Sequence, residues 1–295
     1  MRESDSVAVY FLNAMLHALR DTPAERDAQL RAVGIAPQLL DQPQARVPAK
    51  AFAQLWLALI QRLDDEFFGL DSHGMPLGSF ALICRGLILE PNLEKALRQC
   101  MGGFGLFLRD LRGSLTVRGG RALISVQSNI ADPLTRVYAE ETYLVLMIGM
   151  LCWLAGRRIP ILAIELRCAQ PDFCDDYQVM FSDNLRFDRP RTRMIFSADC
   201  LDLPIKRSPE ELKRFLAHAP ANILVKYRNP DSLATRIKHD LRQMPPDTWP
   251  ETEGLAATLF ISASTLRRRL AEEGLNSSDF SCLFHLVGTI DRCHL

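Results

Sequence analysis

The chain has 295 residues, and its 48% apolar content is enough for a sizeable core, which at this length we expect to be divided between two domains. Its 35 basic and 35 acidic residues cancel, so the composition argues against a protein that coats nucleic acid through charge alone. The polar start Met1–Asp5 has no secretory character, and the eight cysteines contain no Cys-x-x-Cys pair, which is typical of a reducing cytoplasm.

Helical spacing of apolar residues dominates the N-terminal third. An amphipathic helix is predicted from Ser6 to about Gln29, broken at Asp21-Thr22-Pro23, and a stronger one begins at Val47-Pro48-Ala49. Another apolar helix is predicted over Phe80–Leu89, and Asn92 is a suitable cap for the helix that follows.

The period then changes from helical to alternating. Ser114–Arg118 and Ala122–Val126 alternate between apolar and polar residues around Gly119-Gly120. A glycine pair between two alternating segments predicts a β-hairpin.

A long helix is predicted over Leu134–Ala155. Its most apolar run, Tyr143–Ala155, is shorter than the roughly 20 residues that a membrane-spanning helix needs. We therefore expect a buried helix and no membrane association.

Further strands are predicted after this helix. Ile159–Arg167 alternates as a strand, and Leu185–Phe187 with Met194–Phe196 is predicted to form a second strand pair around Asp188-Arg189-Pro190. Together these elements predict an α+β fold, with a mixed α/β N-terminal domain that has a small sheet, followed by an all-α domain.

Capping signals mark the transition between the two predicted domains. Ser208-Pro209-Glu210-Glu211 has the pattern of a capping box, and a further helix is predicted from Asp231 to about Met244. We place the boundary within Ala219–Asn229, which gives domains at 1–220 and 221–276, with 277–295 as a tail.

The segment Trp249–Gly274 has the layout of a helix-turn-helix. Its predicted first helix begins after Thr248, Ser262 is placed to cap the second helix, and Gly274 ends it. Helical spacing puts the following apolar residues in the core of the pair: Leu255, Ala256, Leu259, Leu266 and Leu270.

The same spacing turns Ser264, Arg267 and Arg268 away from that core. The planar guanidinium of arginine donates two hydrogen bonds to guanine or clamps a phosphate, so these residues are candidates for DNA contact. An ordinary helical hairpin with a solvated arginine face is the alternative.

The residues of this segment resemble AraC-type transcriptional regulators. The similarity lies in the run Ser262-x-x-x-Leu266-x-Arg268-x-Leu270 followed by Glu272-Glu273-Gly274. The stretch from Val7 to about Leu216 resembles the effector domain of the ornithine-regulator-like subgroup, through the segments Gly74–Phe80, Glu94–Leu97 and Asp188–Pro190. The resemblance implies that Ser264, Arg267 and Arg268 face DNA.

The sequence departs from this family after Asn276. AraC-type regulators carry two helix-turn-helices, and Ser277–Leu295 has no pattern of a second one. We therefore expect a C-terminally truncated or frame-shifted reader with impaired DNA binding.

Other constellations are weaker. Cys282, His285, Cys293 and His294 have irregular spacing for zinc, and the Cys174-Asp175-Asp176 cluster has no nearby histidine, so neither a metal, a cofactor nor a catalytic site is predicted. The arginines at positions 186, 189, 191 and 193 suit either an anion site or a solvated edge. Five large aromatic residues are candidates for a pocket lining but are more typical of plain core: Trp56, Phe80, Phe104, Tyr138 and Tyr143.

The sequence thus predicts a cytoplasmic, ligand-responsive transcription regulator that is not an enzyme. Its expected partners are promoter DNA, an unidentified small-molecule effector and a second copy of itself in a homodimer. The alternative is an effector-binding or dimerising protein that no longer binds DNA directly.

Overall fold

The computed structural model describes residues 6–171, 177, 181–182, 184–219, 237, 244, 250, 252–259 and 261–272, with the backbone alone at 218, 252 and 269–272. The chain divides into two compact units, Met1–Ala155 with Pro160–Lys226, and Gly156–Ile159 with Tyr227–Leu295. The first unit combines helices with a small sheet, which confirms the predicted α+β class.

Helices form most of the first unit. They are α1 (Val9–Met15), α2 (Pro23–Ala32), α3 (Ala49–Leu63), α4 (Ser79–Leu87), α5 (Leu93–Phe107), α6 (Pro133–Ala155) and α7 (Pro209–His218). Two predicted caps are confirmed: the Asn92 side chain accepts a hydrogen bond from the Lys95 amide at 3.0 Å, and Ser208 forms a full capping box with Glu211.

The strands form two sheets. They are β1 (Ser6–Ala8), β2 (Arg46–Pro48), β3 (Leu111–Arg118), β4 (Arg121–Ser128), β5 (Ile161–Glu165), β6 (Leu185–Arg186) and β7 (Thr192–Ser197). The main sheet has the order β3-β4-β7-β5-β6, in which β5 and β6 are parallel and the other pairs antiparallel. One edge of this sheet is therefore eight residues long and the other two residues long.

The predicted hairpin at Gly119-Gly120 is confirmed and is longer than expected. Arg118 pairs with Arg121, and both glycines have positive φ, of 55° and 71°, as a two-residue turn of type I′ requires. Along β4 the buried residues alternate, at Ala122, Ile124 and Val126.

Two predictions about strands and helices are wrong. Leu185–Phe187 and Met194–Phe196 do not pair with each other, because β5 lies between β6 and β7 in the sheet. The helix predicted to start at Ser6 begins only at Val9, since Ser6–Ala8 pairs with Arg46–Pro48 as a two-stranded sheet.

Helix α6 forms the centre of the first unit. It is the one helix in the described part of the chain that is long and apolar enough to cross a membrane, but 83% of its most apolar stretch is buried inside the protein. At its C-terminal end the Trp153 ring stacks on Phe215 of α7 at 4.3 Å, and the Arg207 guanidinium lies 5.5 Å from the Trp153 ring centroid. This burial confirms the prediction that Tyr143–Ala155 belongs to a core helix.

The second unit contains two described helices, α8 (Thr252–Thr258) and α9 (Ala263–Glu272), which pack on each other. The helix predicted at Asp231–Met244 lies outside the described residues except for Ile237 and Met244.

Candidate functional site

A cavity lies in the first unit between α1, α3 and α6. It holds about 30 Å³, which is room for a water molecule or two in its present form. Its walls are mostly apolar and aromatic, with few polar groups, as is usual for small-molecule sites. The lining residues are Phe11, Ala14, Met15, Phe52, Trp56, Phe68, Tyr138, Glu141, Thr142 and Val145.

One wall is built from a strained backbone position. Phe68 has φ of +59°, which is unusual for a bulky residue, and its ring meets Trp56 edge-on at 4.5 Å. The buried Asp65 carboxylate fixes the loop around it by accepting hydrogen bonds from the amides of Phe67, Gly69 and Met75 at 2.7–2.8 Å. Strained residues held by their surroundings cluster at functional sites, so this wall is a pre-formed part of the cavity.

Glu141 is the acidic residue of the lining. Its side chain is only 3% exposed, and it accepts hydrogen bonds from the hydroxyls of Tyr10, at 2.9 Å, and Tyr177. These two hydroxyls lie 3.0 Å apart. Burial raises the pKa of Glu141 to about 8, and the negative charge of Glu140 adds to this effect.

The preceding residue, Glu140, is equally buried but points to the sheet. Its carboxylate forms an ion pair with Arg167 at 3.1 Å and accepts a hydrogen bond from the Thr192 hydroxyl. In the described part of the chain, no basic side chain forms such an ion pair with Glu141. One of two consecutive buried carboxylates is thus neutralised by the protein, and the other is not.

The structure separates the aromatic residues that the sequence proposed for a pocket. Trp56 and Tyr138 line the cavity. Phe104 and Tyr143 are core residues whose rings meet at 5.4 Å, and Phe80 contacts Phe104 and Phe215 instead of the cavity. Sequence reasoning did not single out Glu141, although two adjacent glutamates inside an otherwise apolar helix were a signal that it could have used.

The predicted arginine cluster is partly neutralised. Arg193 and Arg186 both form ion pairs with Glu165, at 2.6 Å and 3.4 Å. Arg189 and Arg191 are exposed. This arrangement favours the solvated edge over an anion site.

In the second unit, the apolar residues of α8 and α9 come together. Leu255, Ala256 and Leu266 are buried in one cluster with Ile237, and Leu259, Ile261 and Ala263 pack against it. The Leu270 side chain lies outside the described part of the chain. Ser262 accepts a hydrogen bond from the Thr265 amide at 3.2 Å, as expected for a residue that caps α9.

The polar residues of α9 face away from this cluster. Ser264, Arg267 and Arg268 are exposed, whereas Leu266 between them is fully buried. The Arg267 side chain is 60% exposed and lies 3.6 Å from the Glu253 carboxylate of α8. An ion pair at that exposure contributes little stability and leaves the guanidinium able to meet another anion.

Two clusters that their spacing argued against as sites lie outside the described residues. These are Cys174-Asp175-Asp176 and the set Cys282, His285, Cys293 and His294. Among the described residues, no group of three or more histidine, cysteine, aspartate or glutamate side chains is placed to hold a metal ion.

The chain is similar to known proteins. Residues 24–205 match the family model of the arabinose-binding N-terminal domain of AraC transcription regulators. The chain is 20% identical over 272 residues to the ornithine utilization regulator of Pseudomonas aeruginosa, covering 92% of this chain and 80% of that protein. It is also similar to the solved structure of the transcriptional regulator CdpR from Pseudomonas aeruginosa, with 15% identity, a TM-score of 0.41 and coverage of 90% of this chain and 82% of that one.

Proposed function

The chain belongs to the AraC family of transcription regulators, in the group with an arabinose-binding N-terminal domain, and from that premise we propose how its two units act. The protein is a ligand-responsive transcriptional regulator. In our proposal the first unit binds the effector in the cavity between α1, α3 and α6, and the second unit reads promoter DNA through α9.

The division of α9 into a buried and an exposed side is the observation that carries the DNA-binding part. Leu266 is fully buried, while Ser264, Arg267 and Arg268 are exposed on the same helix. A recognition helix needs both sides, because one anchors it to its partner helix and the other reaches the major groove. We propose Arg267 and Arg268 as base or phosphate contacts and Ser264 as a phosphate contact.

We propose that this binding is weak. AraC-type regulators use two helix-turn-helices, and Ser277–Leu295 carries no pattern of a second one. One recognition helix contacts fewer phosphates than two do, so α9 by itself should bind DNA with lower affinity and lower salt dependence than a two-motif regulator.

The test is a fluorescence anisotropy titration of the full chain with DNA from the promoter region of its own gene. Arg267→Ala should weaken specific binding by about 1–3 kcal/mol, and Arg268→Ala should reduce affinity or the salt slope. Arg118→Ala, which removes an exposed arginine from the first unit, is the matched control and should have no effect. Unchanged affinity in both α9 variants would reject the assignment.

The alternative is an effector-binding or dimerising protein that does not contact DNA. The sequence after Asn276 favours it, because that is where the family pattern is lost. No specific binding by the full chain, together with binding after a second helix-turn-helix is appended, would support the alternative.

The effector, the oligomeric state and the location are part of the same proposal. The relative from Pseudomonas aeruginosa is a regulator of ornithine utilization, which makes ornithine a first compound to test by thermal shift. We propose a cytoplasmic homodimer without membrane association. Leu82, Leu89 and Leu106 lie 59%, 82% and 83% exposed in the α4–α5 region, where a partner copy would cover apolar surface.

A further inference from the structure

The cavity of the first unit contains a buried acid without a cation. Glu141 is only 3% exposed, and in the described structure its polar contacts are the hydroxyls of Tyr10 and Tyr177. Glu140, equally buried, has Arg167 at 3.1 Å. A buried carboxylate is stable when it is paired with a cation or when it takes up a proton, and the protein supplies the cation only to Glu140.

We propose that the cavity binds a small organic cation, a molecule with an ammonium group, and that Glu141 is the anion that pairs with it. The inference rests on the proposed effector role of this cavity, and it names the chemical class of that effector.

The rest of the lining suits a cation and does not suit an anion. Five of the ten lining side chains are aromatic: Phe11, Phe52, Trp56, Phe68 and Tyr138. Aromatic faces attract ammonium groups, with Trp the strongest, and groups of such rings are a known way to bind quaternary ammonium ligands. Among these ten residues there is no arginine, lysine or histidine, so a carboxylate or phosphate ligand would have no opposite charge.

Among the described residues that interact with Glu141, none is basic. Tyr10 faces it from α1, Tyr138 and Glu140 lie on its own helix, and Tyr177 and Cys168 interact with it from the segments after β5. These five are tyrosine, glutamate and cysteine side chains, which carry no positive charge in either protonation state. A cation that enters this site would therefore meet an environment that favours positive charge.

Binding of such a cation should release a proton. Burial raises the pKa of Glu141 to about 8, so in the ligand-free protein the carboxyl is mostly protonated at pH 7. An ammonium ligand stabilises the carboxylate, and the carboxyl proton leaves to the solvent as the ion pair forms. Affinity for the cation should accordingly rise about tenfold for each pH unit up to pH 8 and level off above it.

The size of the cavity narrows the ligand further. It holds about 30 Å³, room for a water molecule or two, so in its present form it takes up no more than a primary ammonium head, and a trimethylammonium group enters only if the lining side chains move apart.

The experiment is isothermal titration calorimetry of the full chain with pairs of probes of equal shape and different charge. The probes are choline against 3,3-dimethyl-1-butanol, and n-butylammonium against 1-butanol, with butyrate as the anion. We expect each cation to bind at least tenfold more tightly than its neutral counterpart, and butyrate not to bind. Repeating the titration in buffers of different ionisation enthalpy at pH 7 should show release of close to one proton per cation.

Variants identify the groups responsible. Glu141→Gln keeps the shape and should lower the affinity for the cation about tenfold or more, while leaving the affinity for the neutral alcohol unchanged. Glu94→Gln, at a half-buried glutamate of α5 that is paired with Arg98, is the matched control and should change neither. If Glu141→Gln does not fold, Trp56→Phe against Trp56→Leu gives a second measurement: the leucine variant should lose cation binding more strongly than alcohol binding, and the phenylalanine variant should keep part of it.

Several results would overturn the proposal. These are equal affinity for cation and alcohol, a preference for butyrate, no binding of any cation, or full cation binding by Glu141→Gln. The DNA titration distinguishes failure of the cation-binding proposal from failure of the proposed function. A chain whose DNA binding responds to a neutral or anionic compound remains a ligand-responsive regulator and rejects the cation, whereas a chain that binds choline but no DNA retains the cation site and rejects DNA reading.

Discussion

Glu140 and Glu141 are consecutive and equally buried glutamates of α6, but their electrostatic environments are opposite. On the sheet side, Glu140 is held by Arg167 and Thr192. On the cavity side, Glu141 is held by two tyrosine hydroxyls. A helix turns about 100° per residue, so consecutive positions face different neighbours. Burial alone therefore does not distinguish an acid that stabilises the fold from an acid that binds a ligand. The charge of the group paired with the acid makes that distinction.

Among the substitutions, the largest loss of stability should come from removing the carboxylate of Glu140, which faces the sheet. Glu140→Gln removes the anion that Thr192 and Arg167 share and should lower the free energy of unfolding by about 2 kcal/mol, because hydrogen bonds to a buried carboxylate are lost while Arg167, 32% exposed, is partly rehydrated. Urea unfolding at pH 6 measures this. The double variant Glu140→Gln/Arg167→Gln should recover part of the loss. A decrease below about 1 kcal/mol in the single variant would contradict the contrast between the two sides.

The second expected effect is a dependence of folding stability on pH, caused by the titration of Glu141, which faces the cavity. The pKa of Glu141 is about 8 in the folded chain against 4.5 as its ordinary value, so the folded state holds the proton more tightly. The stability that this provides is fully present below pH 4.5 and is lost as pH rises towards 8. Between pH 5 and pH 8 the loss should be on the order of 3 kcal/mol.

Glu141→Gln is the reference for this measurement, because it cannot titrate. Urea unfolding at pH 5 and pH 8 gives, for each protein, the change in the free energy of unfolding between the two pH values. Subtracting one change from the other cancels the contributions of the other titrating groups. The native chain should lose stability over this interval relative to the variant. Parallel behaviour of the two proteins would show that Glu141 titrates normally.

A smaller effect is expected from removing one of the two hydroxyls. Tyr10→Phe takes away the donor at 2.9 Å from Glu141 and should lower the free energy of unfolding by about 1 kcal/mol. Tyr143→Phe is the matched control, because the Tyr143 hydroxyl is buried and has no hydrogen-bond partner in the described structure. Its removal should be neutral or stabilising. Equal losses in both variants would mean that the hydroxyl of Tyr10 has no specific role.

The smallest expected change in stability is that of Glu141→Gln, in contrast to Glu140→Gln. At pH 6 and without ligand, Glu141→Gln replaces one neutral group by another of the same shape, and the change in the free energy of unfolding should stay within about 1 kcal/mol. Thermal and urea unfolding check this. A loss as large as that of Glu140→Gln would place Glu141 among the structural acids.

Features that depend on neighbouring residues were predicted well from the sequence. The Gly119-Gly120 turn, the Asn92 cap and the Ser208 capping box are all set by a few adjacent residues, and all are confirmed. Features that depend on distant segments were not. Ser6–Ala8 becomes a strand only because Arg46–Pro48 lies beside it, and β6 fails to pair with β7 because β5 comes between them.

The same distinction between local and long-range features holds for the candidate site. Trp56 and Tyr138 were among the aromatic candidates, but only the fold shows that they share one cavity, while Phe104 and Tyr143 are core. Glu141 was missed because its significance lies in what surrounds it. The contact residues of α9, Ser264, Arg267 and Arg268, remain a prediction that the DNA titration will test.

The unequal edges of the main sheet bear on how the purified protein behaves. Among the described strands, β3 pairs on one side only, over eight residues, whereas β6 ends the sheet after two. Long open edges invite strands of other molecules, and charged side chains discourage this. Arg112 and Arg118 are exposed on β3. Replacing both with valine removes these charges from the edge, together with the hydrogen bonds from Arg112 to the Leu108 and Leu111 carbonyls, and should make the purified protein aggregate on concentration or storage.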